Sequence, residues 1–261
     1  MINFTIFKQT VRSNLKLWAI FTLATSVVLV VMIGVFEPTT ISGVTDLIKG
    51  TPLADMIRDT TFIGMMGSTF YSLHGILLPV IYIIMTANGL VAQQVDRGSM
   101  AYLLSTPTRR GTIVRTQACY LIAALVLMCA IMTAVGVIAI HAFQSDAGDS
   151  LSEFLMLNLG LWLLMFATSS ISFFFSCLFN LSKHSLALGA GIPIAFFLFQ
   201  LLAQVSDSLE VLKYFTINTL FHVDAVISGD SVFIPFLALS VIGIVLYPLG
   251  MLVFRQKDLP L

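Results

Sequence analysis

Six long stretches of the sequence contain no aspartate, glutamate, lysine or arginine. They cover residues 17–36, 60–95, 116–145, 154–182, 184–206 and 231–254. Each is long enough to cross a hydrocarbon core about 30 Å thick at about 1.5 Å per residue. A charge at the bilayer centre costs about 2.5–3.5 kcal/mol, and backbone polar groups in lipid must bond to one another. The six stretches therefore predict membrane-spanning helices.

Composition supports the same fold class, because only 10% of the residues are charged, against about 25% in an average soluble domain. We predict an all-α polytopic membrane protein that forms a single transmembrane domain over residues 1–261. The predicted spans are 17–36, 68–93, 114–143, 154–181, 185–205 and 232–254. Since the second stretch is longer than one span, either residues 60–68 lie at the outer interface or the helix projects at its cytoplasmic end.

Two further segments carry amphipathic patterns. In residues 1–16, apolar Phe4, Phe7, Val11 and Leu15 alternate with three basic residues at a spacing of four, which predicts an interfacial helix on the cytoplasmic leaflet. The alternative is an unstructured basic start. Residues 207–230 are too apolar for a free loop and too charged for a span, so we predict short outer helices before the last span.

Basic residues set the expected orientation. With the N-terminus inside and six crossings, ten lysine and arginine residues lie inside and only Lys49, Arg58 and Lys213 lie outside. Short loops rich in these residues stay in the cytoplasm. We therefore expect a multi-pass protein of a bacterial inner membrane with both termini in the cytoplasm.

Several kinds of chemistry have no sequence signal. The chain has no G-x-x-x-x-G-K-[ST], no H-E-x-x-H, no G-x-S-x-G and no C-x-x-C, so we expect no catalytic residue, metal or cofactor in it. A net charge of zero gives no bias toward nucleic acid. No predicted span carries an acid at its centre, which disfavours a proton-driven carrier. Energy for active transport would have to come from another subunit.

The segment between the second and third spans, residues 94–112, is the most informative. It contains Asp96, Arg97 and Gly98, then an apolar helical face of Met100, Leu103 and Leu104 beside Tyr102, then Pro107, Arg109 and Arg110. An ordinary positive-inside loop is the alternative, but it has no reason to hold an apolar face in water. A partner that buries this face would explain it.

Residues 95–110 resemble the cytoplasmic coupling segment of ABC-2 type transporter permeases, with Asp96 where that family usually has glutamate. The number of spans, the N-terminal helix, the outer helices and the basic C-terminus agree with this resemblance. It implies a permease dimer that carries two ATPase subunits on its cytoplasmic side, with ATP and Mg²⁺ bound only by the ATPases. It also implies export of an amphipathic or hydrophobic substrate such as a peptide, lipid or drug.

A substrate path is a further expectation. Gln200 and Gln204 share one face of the fifth span beside Phe196 and Phe197, and Tyr82 and Met85 fall on one face of the second. Amides in lipid need partners, so we expect these residues to line a path at the dimer interface. The alternative is that the glutamines bond to neighbouring helices.

An ABC exporter subunit is thus the leading functional hypothesis. An ATP-independent channel or carrier is the alternative, and an intramembrane enzyme is disfavoured because no catalytic constellation is visible. The expected partners are an ABC ATPase, a second permease copy and membrane lipid.

Overall fold

A computed structural model describes residues 2–36, 40, 43, 61–105, 108–144, 147–205 and 207–258. These residues are 89% helical and include no strand. The α-helices are α1 (Phe4–Val35), α2 (Phe62–Met66), α3 (Gly75–Leu90), α4 (Ala92–Asp96), α5 (Ser99–Leu104), α6 (Arg110–Phe143), α7 (Ala147–Leu178), α8 (Ser182–Gly189), α9 (Gly191–Val205), α10 (Val223–Ile227) and α11 (Phe233–Gln256). A π-helix covers Gly67–His74, and 3₁₀-helices cover Asp207–Phe215 and Ile217–Leu220.

The described residues contain six helices that are long and apolar enough to cross a membrane, which confirms the all-α polytopic fold. They are Phe4–Val35, Phe62–Asp96, Arg110–Phe143, Leu151–Leu178, Ser182–Ala203 and Phe233–Gln256. The fourth helix ends at Leu178, where the sequence predicted a span to residue 181, because residues 179–181 form the turn into α8. The short helices of residues 207–227 confirm the predicted outer helices before the last span.

Helix α7 is the central helix of the bundle. It packs against α11, α3, α8 and α6. The hydroxyl groups of Thr168 and Ser170 donate to carbonyls of their own helix, while the Ser169 hydroxyl lies 2.8 Å from the Tyr247 hydroxyl of α11. Small polar side chains of this kind let helices approach closely and join them by hydrogen bonds inside lipid.

Helices α1 and α6 run parallel and pack along their length. The backbone N–H of Asn3 donates to the Thr116 hydroxyl near one end, and the Gln144 amide donates to the Phe36 carbonyl near the other. The helix α1 continues from the basic segment into the first span without a break. At about 1.5 Å per residue its 32 residues measure about 48 Å, longer than the bilayer core. Placement of residues 1–16 in the membrane interface stays a prediction.

The second span is irregular at both ends. Its outer part is the π-helix Gly67–His74, and its inner part breaks at Val91, where φ is −129° and ψ is −71°. An added Cβ at Gly67 would lie 2.6 Å from Val223, so α10 packs directly on the π-helix. The long second stretch is therefore helical from Phe62 to Asp96, with an outer extension and an inner one.

The two ends of the helix bundle differ in the charged residues that they carry. One end of the bundle, which we call the basic end, is formed by α4, α5, the starts of α1, α6 and α8, and the last turn of α11. It exposes Arg97, Arg109, Arg110, Lys183 and Arg255. The opposite end is formed by the π-helix, α10 and the 3₁₀-helices.

Candidate functional site at the basic end of the bundle

The chain turns between α4 and α5 at a glycine. Gly98 has φ of 71° and ψ of −1°, a left-handed conformation. The N–H of Gly98 donates to the Val95 carbonyl at 3.0 Å, and its own carbonyl accepts from Ala101 at 3.1 Å. Glycine adopts this conformation at little cost, whereas a side chain meets the adjacent carbonyl. The glycine of segment 94–112 thus sets the angle at which α5 leaves α4.

We expect substitution of Gly98 to be costly for conformational reasons alone, because an added Cβ would meet no atom of the described residues within 4 Å. Gly98→Val should lower the free energy of unfolding by about 1–2 kcal/mol. Gly98→Asn should cost less, since asparagine tolerates the left-handed region. Melting temperatures of the three purified proteins in one detergent test this, and equal losses for valine and asparagine would contradict it.

The side chains of α5 divide between the chain's own core and solvent. Met100 is 1% exposed within the hydrophobic core, and Leu103 packs partly buried against that core. Tyr102 is 80% exposed. The expectation that Met100 forms part of a face left for a partner is therefore wrong, because the protein itself covers Met100. The side chain of Leu104 and all of Pro107 lie outside the described residues.

The polar residues of segment 94–112 tie it to other helices. The Asp96 carboxylate accepts from the Ser182 backbone N–H at 3.2 Å, at the first residue of α8. The Arg110 guanidinium donates to the Lys257 carbonyl at 3.4 Å. Arg97 and Arg109 are exposed. Segment 94–112 is therefore hydrogen-bonded to α8 and to the residue after α11, and it also carries two cations at the surface.

The residues that follow α11 are held against the turn between α7 and α8. The Lys257 ammonium donates to the Phe179 carbonyl at 3.0 Å and lies 5.2 Å from the centre of the Phe254 ring. The Asn180 amide donates to the Asp258 carbonyl at 3.2 Å. Partial burial lowers the pKa of Lys257 from 10.5 to about 8, since desolvation disfavours the ammonium form. The C-terminal residues thus form part of the same surface as α5.

The expected path residues do not form one surface of the protein. Tyr82 is 0% exposed and packs in the interior beside Phe21, with ring centres 6.1 Å apart, whereas Met85 is 49% exposed. Phe197 is buried, and Phe196 and Gln200 are half-buried. Placement of Tyr82 on the wall of a path is therefore wrong for this structure, because its ring is covered from all sides.

The glutamines of the fifth span are only partly described. The Gln200 Oε1 atom is buried and has no hydrogen-bond partner among the described residues. The side chain of Gln204 lies outside them. Helix α9 packs mainly against residues 207–220, and the Phe196 carbonyl accepts from the Thr216 hydroxyl at 3.1 Å. The alternative, in which Gln200 bonds to a neighbouring helix, has no support in these contacts.

Sequence reasoning missed a group of small polar residues next to segment 94–112. They are Asn88, Ser172, Ser176 and Ser182, which bond between helices near the basic end. The sequence pattern does not single out these serines, because isolated serines are common in membrane helices and usually bond within their own helix. Asn88 was the clearest indication, since a primary amide inside an apolar stretch needs a partner.

Comparison with known proteins gives one family. A family model described as ABC-2 family transporter protein matches residues 7–259. The match covers nearly the whole chain, including all six long helices and segment 94–112. No curated protein matches the sequence significantly.

Proposed function

Because the chain belongs to the ABC-2 family of transporter proteins, we propose that it is the permease subunit of an ATP-driven exporter. The family supports a transmembrane subunit of an ABC transporter, a transport component distinct from the ATPase. The six apolar helices support a multi-pass membrane protein. Export, the type of substrate and the assembly with two ATPases belong to the proposal.

One observation carries the proposed ATPase site. Tyr102 projects from a short helix whose neighbouring side chain, Met100, is anchored in the chain's own core. An exposed aromatic residue on a rigid support is typical of residues that dominate binding energy at protein interfaces. We assign α5 as the ATPase-docking helix, with Tyr102 as its central contact and Arg97 and Arg109 as polar contacts at the rim.

The proposed substrate is amphipathic or hydrophobic. Helix α9 exposes Ile194, Leu198 and Leu202 at a spacing of four, and Gln200 brings a buried amide oxygen without a described partner. A mostly apolar surface with few polar groups suits a peptide, lipid or drug. We propose that α9, with Phe196 and Gln200, faces a second permease copy across the path, and that the exposed Met85 of α3 also lines this path.

The proposed topology places the basic end in the cytoplasm, where the ATPase binds. A reporter enzyme that is active only outside the cytoplasm should be silent when fused after Leu261. The same reporter inserted between Ser228 and Asp230, at the opposite end, should be active and serves as the control. Strong activity of the C-terminal fusion would contradict the orientation, because it would place the basic end outside.

The alternative function, an ATP-independent channel or carrier, makes a different prediction in liposomes. The purified chain should be reconstituted without any ATPase around an entrapped fluorescent anion. A permease subunit should leave the vesicles as tight as empty ones. Rapid leakage that needs neither ATPase nor ATP would support the channel. Copurification of an ATPase subunit with the tagged chain from its native membrane would support the exporter.

A further inference from the structure

Two spans are interrupted near the basic end. The second span breaks at Val91, between α3 and α4, and the fifth breaks at Ala190, between α8 and α9. A break leaves backbone donors and acceptors without their partners in the helix, and in a membrane these groups need other partners. Ala92 supplies such a donor. Gly189 supplies such an acceptor, because the residue four positions later is Pro193, which has no N–H.

Both backbone groups bond to serines of α7. The Ser176 hydroxyl oxygen accepts from the Ala92 N–H at 3.0 Å, and the Ser172 hydroxyl donates to the Gly189 carbonyl at 2.7 Å. Both serines are buried and lie one turn apart on the same helix. An added Cβ at Gly189 would lie 3.3 Å from the Ser172 carbonyl oxygen, so the two backbones are in close contact. The central helix therefore holds both breaks at fixed points.

Beyond the breaks, the two spans are joined to each other through Ser182. The Asn88 amide donates to the Ser182 hydroxyl at 2.8 Å, and the Ser182 N–H donates to the Asp96 carboxylate at 3.2 Å. Asn88 and Asp96 lie on opposite sides of the break at Val91. The carboxylate also lies at the N-terminus of α8, where negative charge is favourable. Ser182 is thus bonded to the second span on both sides of its break.

From this geometry we infer that Ser182 is a positioning residue that transmits movement of the docking helix α5 to the fifth span. Movement of α5 displaces Asp96, which lies three residues before Ser99, the first residue of α5. The Asp96 carboxylate then displaces the first residue of α8 through their hydrogen bond. The hydrogen bond from Ser172 fixes the other end of this short helix at Gly189. We therefore expect α8 to rotate about Gly189 and to change the orientation of α9. The inference rests on the proposed function, since it assumes that the ATPase acts on α5.

The test is hydrogen–deuterium exchange on the full complex of the chain with its ATPase subunit, with and without ATP and vanadate. In the unsubstituted complex, deuterium uptake should change with nucleotide both in peptides covering residues 99–105 and in those covering 184–203. In Asp96→Ala, which removes the carboxylate that accepts from the Ser182 N–H, the change at 184–203 should fall by at least about twofold while the change at 99–105 stays. The same result is expected for Ser182→Pro, which removes that N–H at the first position of a helix, where proline is tolerated.

Two comparisons separate transmission from a loss of stability. Ser182→Thr keeps the hydroxyl and should keep the response at 184–203. Ser240→Ala removes a hydroxyl that donates to its own helix at Phe236, and it should behave as the unsubstituted protein. If Ser182→Pro does not fold, Asp96→Ala provides the same test at an exposed carboxylate.

The possible failures are distinct. No nucleotide response at residues 99–105 in the unsubstituted complex would overturn the proposed docking function. A response at 99–105 together with a full response at 184–203 in both Ser182→Pro and Asp96→Ala would leave that function intact and overturn the role of Ser182.

Discussion

Replacement of Tyr102 by aspartate should release the ATPase subunit from the purified protein. Tyr102 is 80% exposed, so the substitution removes little from the chain's own fold. In the proposed complex the ring is buried against the ATPase, and loss of such a central aromatic contact costs about 2 kcal/mol or more. That cost is roughly a thirtyfold loss of affinity, and a carboxylate buried in its place would raise it further.

The chain offers a matched control in Tyr214→Asp. Tyr214 is 89% exposed on the 3₁₀-helix Asp207–Phe215 at the opposite end of the bundle. Both variants should be purified with the tagged ATPase subunit, and binding and melting temperature should be measured for each. Tyr214→Asp should retain the ATPase. If Tyr102→Asp binds the ATPase as tightly as the unsubstituted chain, then α5 is not the docking helix.

Substitution of Gly136 by alanine should give a large loss of stability for the addition of a single methyl group. An added Cβ would lie 2.3 Å from the Phe154 ring and 3.1 Å from Leu29. Both side chains are fully buried, and the Phe154 ring packs edge-to-face with Tyr71 at 6.4 Å, so neither can move aside. Overpacking of this kind costs about 1–3 kcal/mol, more than alanine returns through its higher helix propensity, about 1 kcal/mol.

Gly34→Ala is the control for this prediction. Gly34 lies in α1, and an added Cβ there would meet no atom of the described residues within 4 Å. This variant should be unchanged or slightly more stable, because only the propensity gain remains. The two variants should be compared by thermal unfolding in one detergent. Unfolding is measured as the loss of monodisperse protein with temperature. A Gly136→Ala protein as stable as Gly34→Ala would show that α1, α6 and α7 pack differently.

The helices and their order could be predicted from the sequence because the physical rule is strong. A single lysine or aspartate inside a span is expensive in lipid, so the stretches without charges mark the spans directly. The outer helices before α11 followed from the same reasoning, since residues 207–230 mix apolar residues with charges too frequent for a span. The tight turn at Gly98 could also be anticipated, because glycine next to a short helix indicates a special backbone conformation.

The division of α5 into an inner and an outer side could not be predicted. Met100, Tyr102 and Leu103 are all apolar or aromatic, and their spacing shows only that the helix has an apolar face. Whether the protein or a partner covers that face depends on the packing of α5 beside α4 and on the turn at Gly98. We predicted that a partner protein covers the Met100 side chain, whereas the structure buries it in the chain's own core.

The residues that line a substrate path could not be predicted either. Lipid and protein core are equally apolar, so hydrophobic periodicity does not separate an inward from an outward face. Tyr82 and Met85 lie three residues apart and were assigned to one face, yet the first is covered and the second exposed. The serines that bond at the interruptions near Val91 and Ala190 could not be predicted either, because they belong to a distant part of the chain.

We propose that this protein works as the membrane subunit of an ATP-driven complex. The most direct measurement is the mass of the tagged chain purified in nanodiscs from cells that also produce its ATPase, together with the ATP hydrolysis of that preparation. We expect a complex with two 28.5 kDa chains and two ATPase subunits, whose hydrolysis rate differs from that of the isolated ATPase. A chain that purifies without any ATPase, and that leaves the ATPase rate unchanged on addition, would contradict it.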